Sequence, residues 1–270
     1  MRTSSAPRSS REPMFEDLRG KVGIVAGGAG AIGASQVRLL VRLGAKVVVA
    51  DLDDDAGQSL VAELGSDCVF VHADASSEQD WTGVVSTAVS RFGRVDMLSN
   101  SFGIAPQSTL ADLSYEQYMR AIAVNQTAVF LGIKAVLTPM KQQRGGSIVN
   151  VSSGAAYRAQ PYLFAYSASK AAVVAMSRDA GVELGAYGIR VNAICPGGTR
   201  SELNTATTTA WARTRPSYDR EHAFDRHPLG RIGEPEEVAN MAVFLLSDAA
   251  SYCTGNSYLV DGGLLAGIRP

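Results

Sequence analysis

The sequence predicts one doubly wound α/β domain, a parallel sheet of about seven strands flanked by helices. Three observations predict it. Short runs rich in Val and Ile recur along the chain, helix-length segments separate them, and the first run flows straight into a glycine cluster. Strands buried on both faces carry apolar residues throughout, without alternation.

The strands fall at residues 22–26, 46–50, 69–72, 95–99, 147–151, 190–194 and 257–260. Helices fall between them, for example at 31–43, 79–92, 115–140, 162–187 and 235–246. No internal repeat or linker interrupts residues 14–270, which therefore read as a single domain. Residues 1–13 are rich in Ser and Arg and hold Pro7 and Pro13, so they read as a disordered tail. The patterned sequence begins right after Met14. Residues 199–228 show no clear strand or helix period and carry Thr205, Thr207, Thr208, Thr209, Trp211, Tyr218 and Phe224 among five arginines. A loop this long in a compact domain is usually functional, and it is expected to be a substrate lid.

Composition narrows the function classes. Hydrophobic residues make up 46% and charged residues 19%, enough apolar material for a large core. Basic and acidic residues number 25 and 26, for a net charge of −1, so neither nucleic acid nor a membrane surface is an expected partner. No run of ~18 apolar residues is apparent. Cys68, Cys195 and Cys253 lie far apart without CxxC spacing, which fits free thiols in the cytoplasm. His72, His222 and His227 make no ligand pattern with them, so no metal is expected.

The first strand runs into Ala26-Gly27-Gly28-Ala29-Gly30-Ala31-Ile32-Gly33, and a helix follows. Glycines let the backbone turn tightly against a pyrophosphate, and the helix N-terminus offers that anion its free N–H groups. The second strand ends at Asp51, with Leu52 beside it and Asp53, Asp54 and Asp55 following. An acid at that spot accepts hydrogen bonds from ribose hydroxyls. It also repels a 2′-phosphate, by ~4 kcal/mol per unit-charge pair at ~4 Å and an effective dielectric of 20. No Arg or Lys in the glycine loop offsets this, so the expected cofactor is NAD.

Tyr166 and Lys170 stand at i and i+4, on one face of a predicted helix. A free phenol titrates near ~10, and a neighbouring ammonium favours its ionised form. Ser153 lies past a strand end, where a hydroxyl can hold a substrate oxygen.

With these elements together, the chain resembles the short-chain dehydrogenase/reductase family, a Rossmann-type fold, over about residues 15–264. The resemblance implies a tetrad of Asn125, Ser153, Tyr166 and Lys170. Tyr166 would be general acid and base, Ser153 would polarise the substrate oxygen, and Lys170 would bond the nicotinamide ribose and lower the Tyr166 pKa. Asn125 would position a water in the proton relay. It further implies cofactor contacts from Gly27, Ala29, Gly30, Ala31, Ile32, Gly33, Asp51, Leu52, Asp74, Ala75, Asn100, Gly103, Pro196, Gly197, Thr199 and Ser201, beside Tyr166 and Lys170. The chain departs from the family pattern at Ala26, Ala31, Thr199 and Ser201, and in Asn100-Ser101-Phe102-Gly103 where the family has Asn-Asn-Ala-Gly. A homotetramer (or homodimer) through the Tyr/Lys helix and last strand is implied too.

The substrate pocket is expected to gather Ala155, Tyr157, Tyr162, Thr205 and Trp211. Those side chains favour a small hydrophobic, cyclic or aromatic secondary alcohol or its ketone. Arg158 and the lid arginines leave a carboxylate open as an alternative. Two other readings stay open: a carrier-bound 3-oxoacyl reductase and a non-catalytic NAD(H)-binding regulator. Fold alone does not choose among them.

Overall fold

The computed structural model describes residues 15–214, 219, 223–225 and 227–267. The tail expected at residues 1–13, and lid positions 215–218, 220–222 and 226, lie outside them. Seven strands form one parallel sheet in the order β3-β2-β1-β4-β5-β6-β7. They are β1 (Val22–Ala26), β2 (Lys46–Asp51), β3 (Cys68–His72), β4 (Met97–Asn100), β5 (Gly146–Val151), β6 (Ile189–Pro196) and β7 (Ser257–Val260). Alternate residues of each strand feed opposite faces. Val22, Ile24 and Ala26 enter one core cluster, while Val25, Val47 and Val49 enter the other. The strand order reverses between β1 and β4, and open α/β sheets bind ligands in the crevice outside such a switch point.

The helices are α1 (Ala31–Arg42), α2 (Asp54–Leu64), α3 (Glu78–Phe92), α4 (Tyr115–Ile122), α5 (Ala128–Gln143), α6 (Phe164–Leu184), α7 (Glu202–Thr214) and α8 (Pro235–Leu246). The acidic run after Asp51 starts α2. Asp53 accepts from Ala56 N at 3.0 Å as its N-cap, and Asp54 and Asp55 sit in the first turn, where the helix dipole favours them.

Three expectations need correction. The single helix expected at 115–140 is two helices joined by a π turn, Ala123–Thr127, which carries Asn125. Its full length, Tyr115–Gln143, is long and apolar enough to cross a bilayer, contrary to the expectation that no run would be. Val129, Ile133, Val136 and Met140 are nevertheless buried in the core beside the sheet. Finally, residues 199–228 are not aperiodic, since α7 occupies their first half. Asn204, Thr207, Thr208 and Trp211 recur at i, i+3, i+4 and i+7, while Thr205 is exposed and outside the cavity. Three of those four inward residues are polar, so a hydrophobic pattern could not reveal the helix.

Candidate active site

The C-terminal ends of β1, β2, β5 and β6, with the loops that follow, enclose a cavity of about 1030 Å³. One wall is the glycine turn. Gly27 has a φ of 72°, and a Cβ there would lie 2.8 Å from the Ser101 carbonyl and the Phe102 nitrogen. Gly30 is the N-cap of α1 and offers no side-chain cap, so the first turn presents its backbone to the cavity through Ala31 and Ile32. The Ala31 methyl is accommodated in that wall. Gly33 does not reach the cavity; it lets the helix pass close to Gly27, whose carbonyl oxygen a side chain there would strike.

Asp51 lines the same wall, and its carboxylate also orders the loop. Oδ2 accepts from Ala29 N at 2.9 Å, and Oδ1 accepts from Leu52 N at 2.8 Å and Asp53 N at 3.2 Å. Leu52 itself is exposed and turned away. Asp74 and Ala75 are likewise outside the wall. Asp74 accepts from Ser76 N and Oγ, and the Ala75 carbonyl accepts from Trp81 Nε1 at 2.9 Å. Asn100 is buried in the sheet, donating to Asn150 Oδ1 at 2.8 Å, so it braces β4 against β5. The altered residues after it have distinct tasks. Ser101 accepts from the buried Gln36 at 3.0 Å, and the Phe102 ring packs on the core.

Lys170 is almost wholly buried on α6. Its Nζ donates to the Val151 carbonyl at 2.8 Å and the Phe102 carbonyl at 3.3 Å. Burial lowers its pKa to about 8. Nζ stands 5.9 Å from the Tyr166 ring centroid. Burial raises the Tyr166 pKa above its ordinary value, against a hydrogen bond from Ser153 that lowers it. Desolvation, not the charge of Lys170, sets the direction of the Tyr166 shift. Asn125 is also more committed than expected. Its Oδ1 accepts from Ile104 N, and its Nδ2 donates to the Ile104 carbonyl and Ser169 Oγ. It clamps the loop after β4 to α6. Gly103 sits in that clamp, where a Cβ would meet Asn125 Oδ1 and Lys170 Nζ at 3.2 Å.

The opposite wall comes from Pro196, Gly197, Gly198, Thr199 and Ser201. Thr199 is bridged to Gly233, and Ser201 Oγ accepts from Asn204 N at 3.1 Å, which ties this loop to the start of α7. Of the five expected substrate residues only Trp211 lines the cavity. Tyr157 points to β7, where its hydroxyl meets Ser257 Oγ. Ala155 is buried in a 3-10 turn, Thr205 lies on the outer face of α7, and Tyr162 sits at a left-handed bend with φ of 69°. The cavity is walled instead by Gln160, Thr207, Thr208, Phe224, His227 and Leu264. These come from four separate segments, so no local pattern joins them.

The depressed Lys170 has a stability consequence. Between about 8 and its ordinary 10.5 the unfolded chain holds a proton that the folded chain lacks. Folding is thus penalised fully below pH 8, and the penalty fades as pH rises to 10.5. In Lys170→Met this titration is gone. The stability difference between wild type and variant should shift toward wild type by roughly 3 kcal/mol from pH 7 to pH 10.5. Urea unfolding at several pH values checks this, and a pH-independent difference would contradict it.

A family model described as Enoyl-(Acyl carrier protein) reductase matches residues 27–265. The 3-alpha-(or 20-beta)-hydroxysteroid dehydrogenase of Mycobacterium bovis is 41% identical, over 93% of this chain and 92% of that one. The chain belongs to the short-chain dehydrogenase/reductase family. It is an oxidoreductase of that family. Two further relatives bear on chemistry. The 2,5-dichloro-2,5-cyclohexadiene-1,4-diol dehydrogenase of Sphingobium indicum is 38% identical, covering 94% of this chain and 100% of its own. The crystal structure of a 3-ketoacyl-(acyl-carrier-protein) reductase from Brucella melitensis complexed with NADH superposes with a TM-score of 0.83 at 31% identity, covering 91% of this chain and 98% of that one.

Proposed function

We propose that this family member is an NAD-dependent dehydrogenase/reductase that interconverts a ring-borne secondary alcohol and its ketone. The single observation that carries the reading is the convergence of Ser153, Tyr166 and Lys170 on one cavity whose far wall is the glycine turn and Asp51. The residues present fit a dinucleotide. Gly27 and Gly33 keep the turn clear of side chains, α1 begins without a side-chain cap, and Asp51 faces the place of a ribose. When bound, the nicotinamide accepts or returns the hydride. The chain handles the proton. Tyr166 takes it from the alcohol oxygen, or gives it back to the ketone, while the Ser153 hydroxyl holds that oxygen. Lys170, fixed by the Val151 and Phe102 carbonyls, has one donor left that would hold the ribose. Asn125 keeps Ile104 and α6 in place around it.

Ring substrates are supported by the cavity, which is apolar over much of its wall, and by the steroid and cyclohexadiene-diol relatives. We further propose that α7, whose Thr207, Thr208 and Trp211 line the cavity, acts as a lid. Exposed Phe164 and Val182 on α6 and Leu259 on β7 support assembly into a homotetramer. Three free cysteines support residence in the reducing cytoplasm.

The test is NADH-linked turnover across cyclic alcohols and ketones, with an acetoacetyl thioester as the competing acyl-reductase substrate. Turnover of ring compounds over the thioester is the expected result. A preference for the thioester would favour the reading suggested by the Brucella melitensis reductase. Binding of NADH without turnover of any compound would favour a regulator.

A further inference from the structure

We propose that the substrate carries a carboxylate, and that Arg158 at the cavity rim, with His227 beside it, is the group that selects for it. This rests on the function proposed above and deepens it.

The cavity that Tyr166 lines also holds a guanidinium that no described carboxylate neutralises. Arg158 lines the cavity in the loop between Ser153 and Tyr166, is exposed, and makes no ion pair among the described residues. Two other arginines differ. Arg200 is forked onto Glu234 and Arg231 onto Glu237, each with bonds of 2.7–3.2 Å, so neither is available to a ligand. An exposed arginine facing bulk water needs no partner. Arg158 faces a walled cavity that a substrate must enter, and a guanidinium fork matches a carboxylate in two parallel hydrogen bonds.

His227 places a second polar group in the same space. Its ring meets Phe224 edge-on at 5.2 Å, and Phe224 in turn lies over Gly198. Burial first, then the positive charge of Arg158, hold its pKa below the ordinary value, against Asp261, which raises it. Arg158 and His227 are therefore close, and near neutral pH the pair bears one positive charge plus a neutral ring. That suits a singly charged carboxylate. A doubly charged phosphate would meet too little positive charge, and Glu202 also lines the cavity. Asp51 and Asp53 belong to the end of the cavity formed by the glycine turn and β2. The substrate would thus bind with its alcohol on Ser153 and Tyr166 and its acid toward the rim.

Initial rates on a hydroxycyclohexane carboxylic acid and its uncharged methyl ester test this, in wild type, Arg158→Met and Arg158→Lys. Wild type should prefer the acid at least ~10-fold in kcat/KM. That acid-to-ester ratio should fall at least ~10-fold in Arg158→Met, through KM for the acid, and be partly kept in Arg158→Lys. The ester serves as an internal control for folding. A wild-type ratio of one or below, or a ratio unchanged in Arg158→Met, overturns the proposal. Preference for a phosphorylated ring alcohol over the acid overturns it as well. If cyclohexanol and the ester turn over but the acid is not favoured, this inference fails and the proposed function stands. If no ring alcohol turns over, both fail.

Discussion

Tyr166→Phe is expected to lower kcat by ~10²–10⁴-fold on the best substrate, the range that a positioned general acid/base contributes. The substitution keeps the ring, and with it the packing on α6, but removes the only atom able to carry the proton. The Ser153 hydroxyl loses a hydrogen-bond partner, a loss of about 1 kcal/mol, which is too small to account for the fall. NADH binding, followed by fluorescence, should change by less than ~3-fold, since the phenol oxygen acts on substrate. Retention of a tenth or more of wild-type kcat would remove Tyr166 from the mechanism.

The pH profile adds a sign. Oxidation needs the phenolate and reduction needs the phenol. Because burial raises the Tyr166 pKa, oxidation in wild type should climb toward alkaline pH and reduction should fall there. A bound nicotinamide cation would move that limb to lower pH. The limb should vanish in Tyr166→Phe, where no phenol titrates.

Discrimination against NADPH is the second large effect. Asp51 and Asp53 both line the cavity, whereas Asp54 is paired with His72 at 2.8 Å. A 2′-phosphate beside Asp51 meets ~4 kcal/mol of repulsion per charge pair at an effective dielectric of 20, so kcat/KM with NADH should exceed that with NADPH by at least ~10²-fold. Asp51→Asn should narrow the gap at least ~10-fold by removing charge. The asparagine oxygen still accepts from a loop N–H, whereas alanine would strand the Ala29, Leu52 and Asp53 donors and blur the result. Equal efficiency of wild type with both cofactors would refute the role given to Asp51.

Much of this protein was legible in its residues. The inner parallel strands are buried and need apolar side chains on both faces, so they announced themselves locally, and the glycine turn sits where a strand must bend into a helix. Tyr166 and Lys170 were legible for the same reason: an i, i+4 pair shares a helix face whatever surrounds it. The two polar helical segments were harder. The acids of α2 resemble a solvated turn until Asp53 is seen capping a helix, and the inward threonines of α7 carry no hydrophobic period.

The sequence by itself determined the fold class, the Tyr166/Lys170 pair and the acid at the end of β2, because each depends on contacts a few residues apart. Only the tertiary structure decided the setting of that pair and the shape of the pocket. Burial, a property of the whole fold, sets Lys170 at about 8 and raises Tyr166. The same holds for the substrate wall. Tyr157 turns away to β7 while Arg158, one residue later, joins His227, some seventy positions on, at the cavity. A pocket is made where loops from separate strands converge, and neighbours along the chain need not share it.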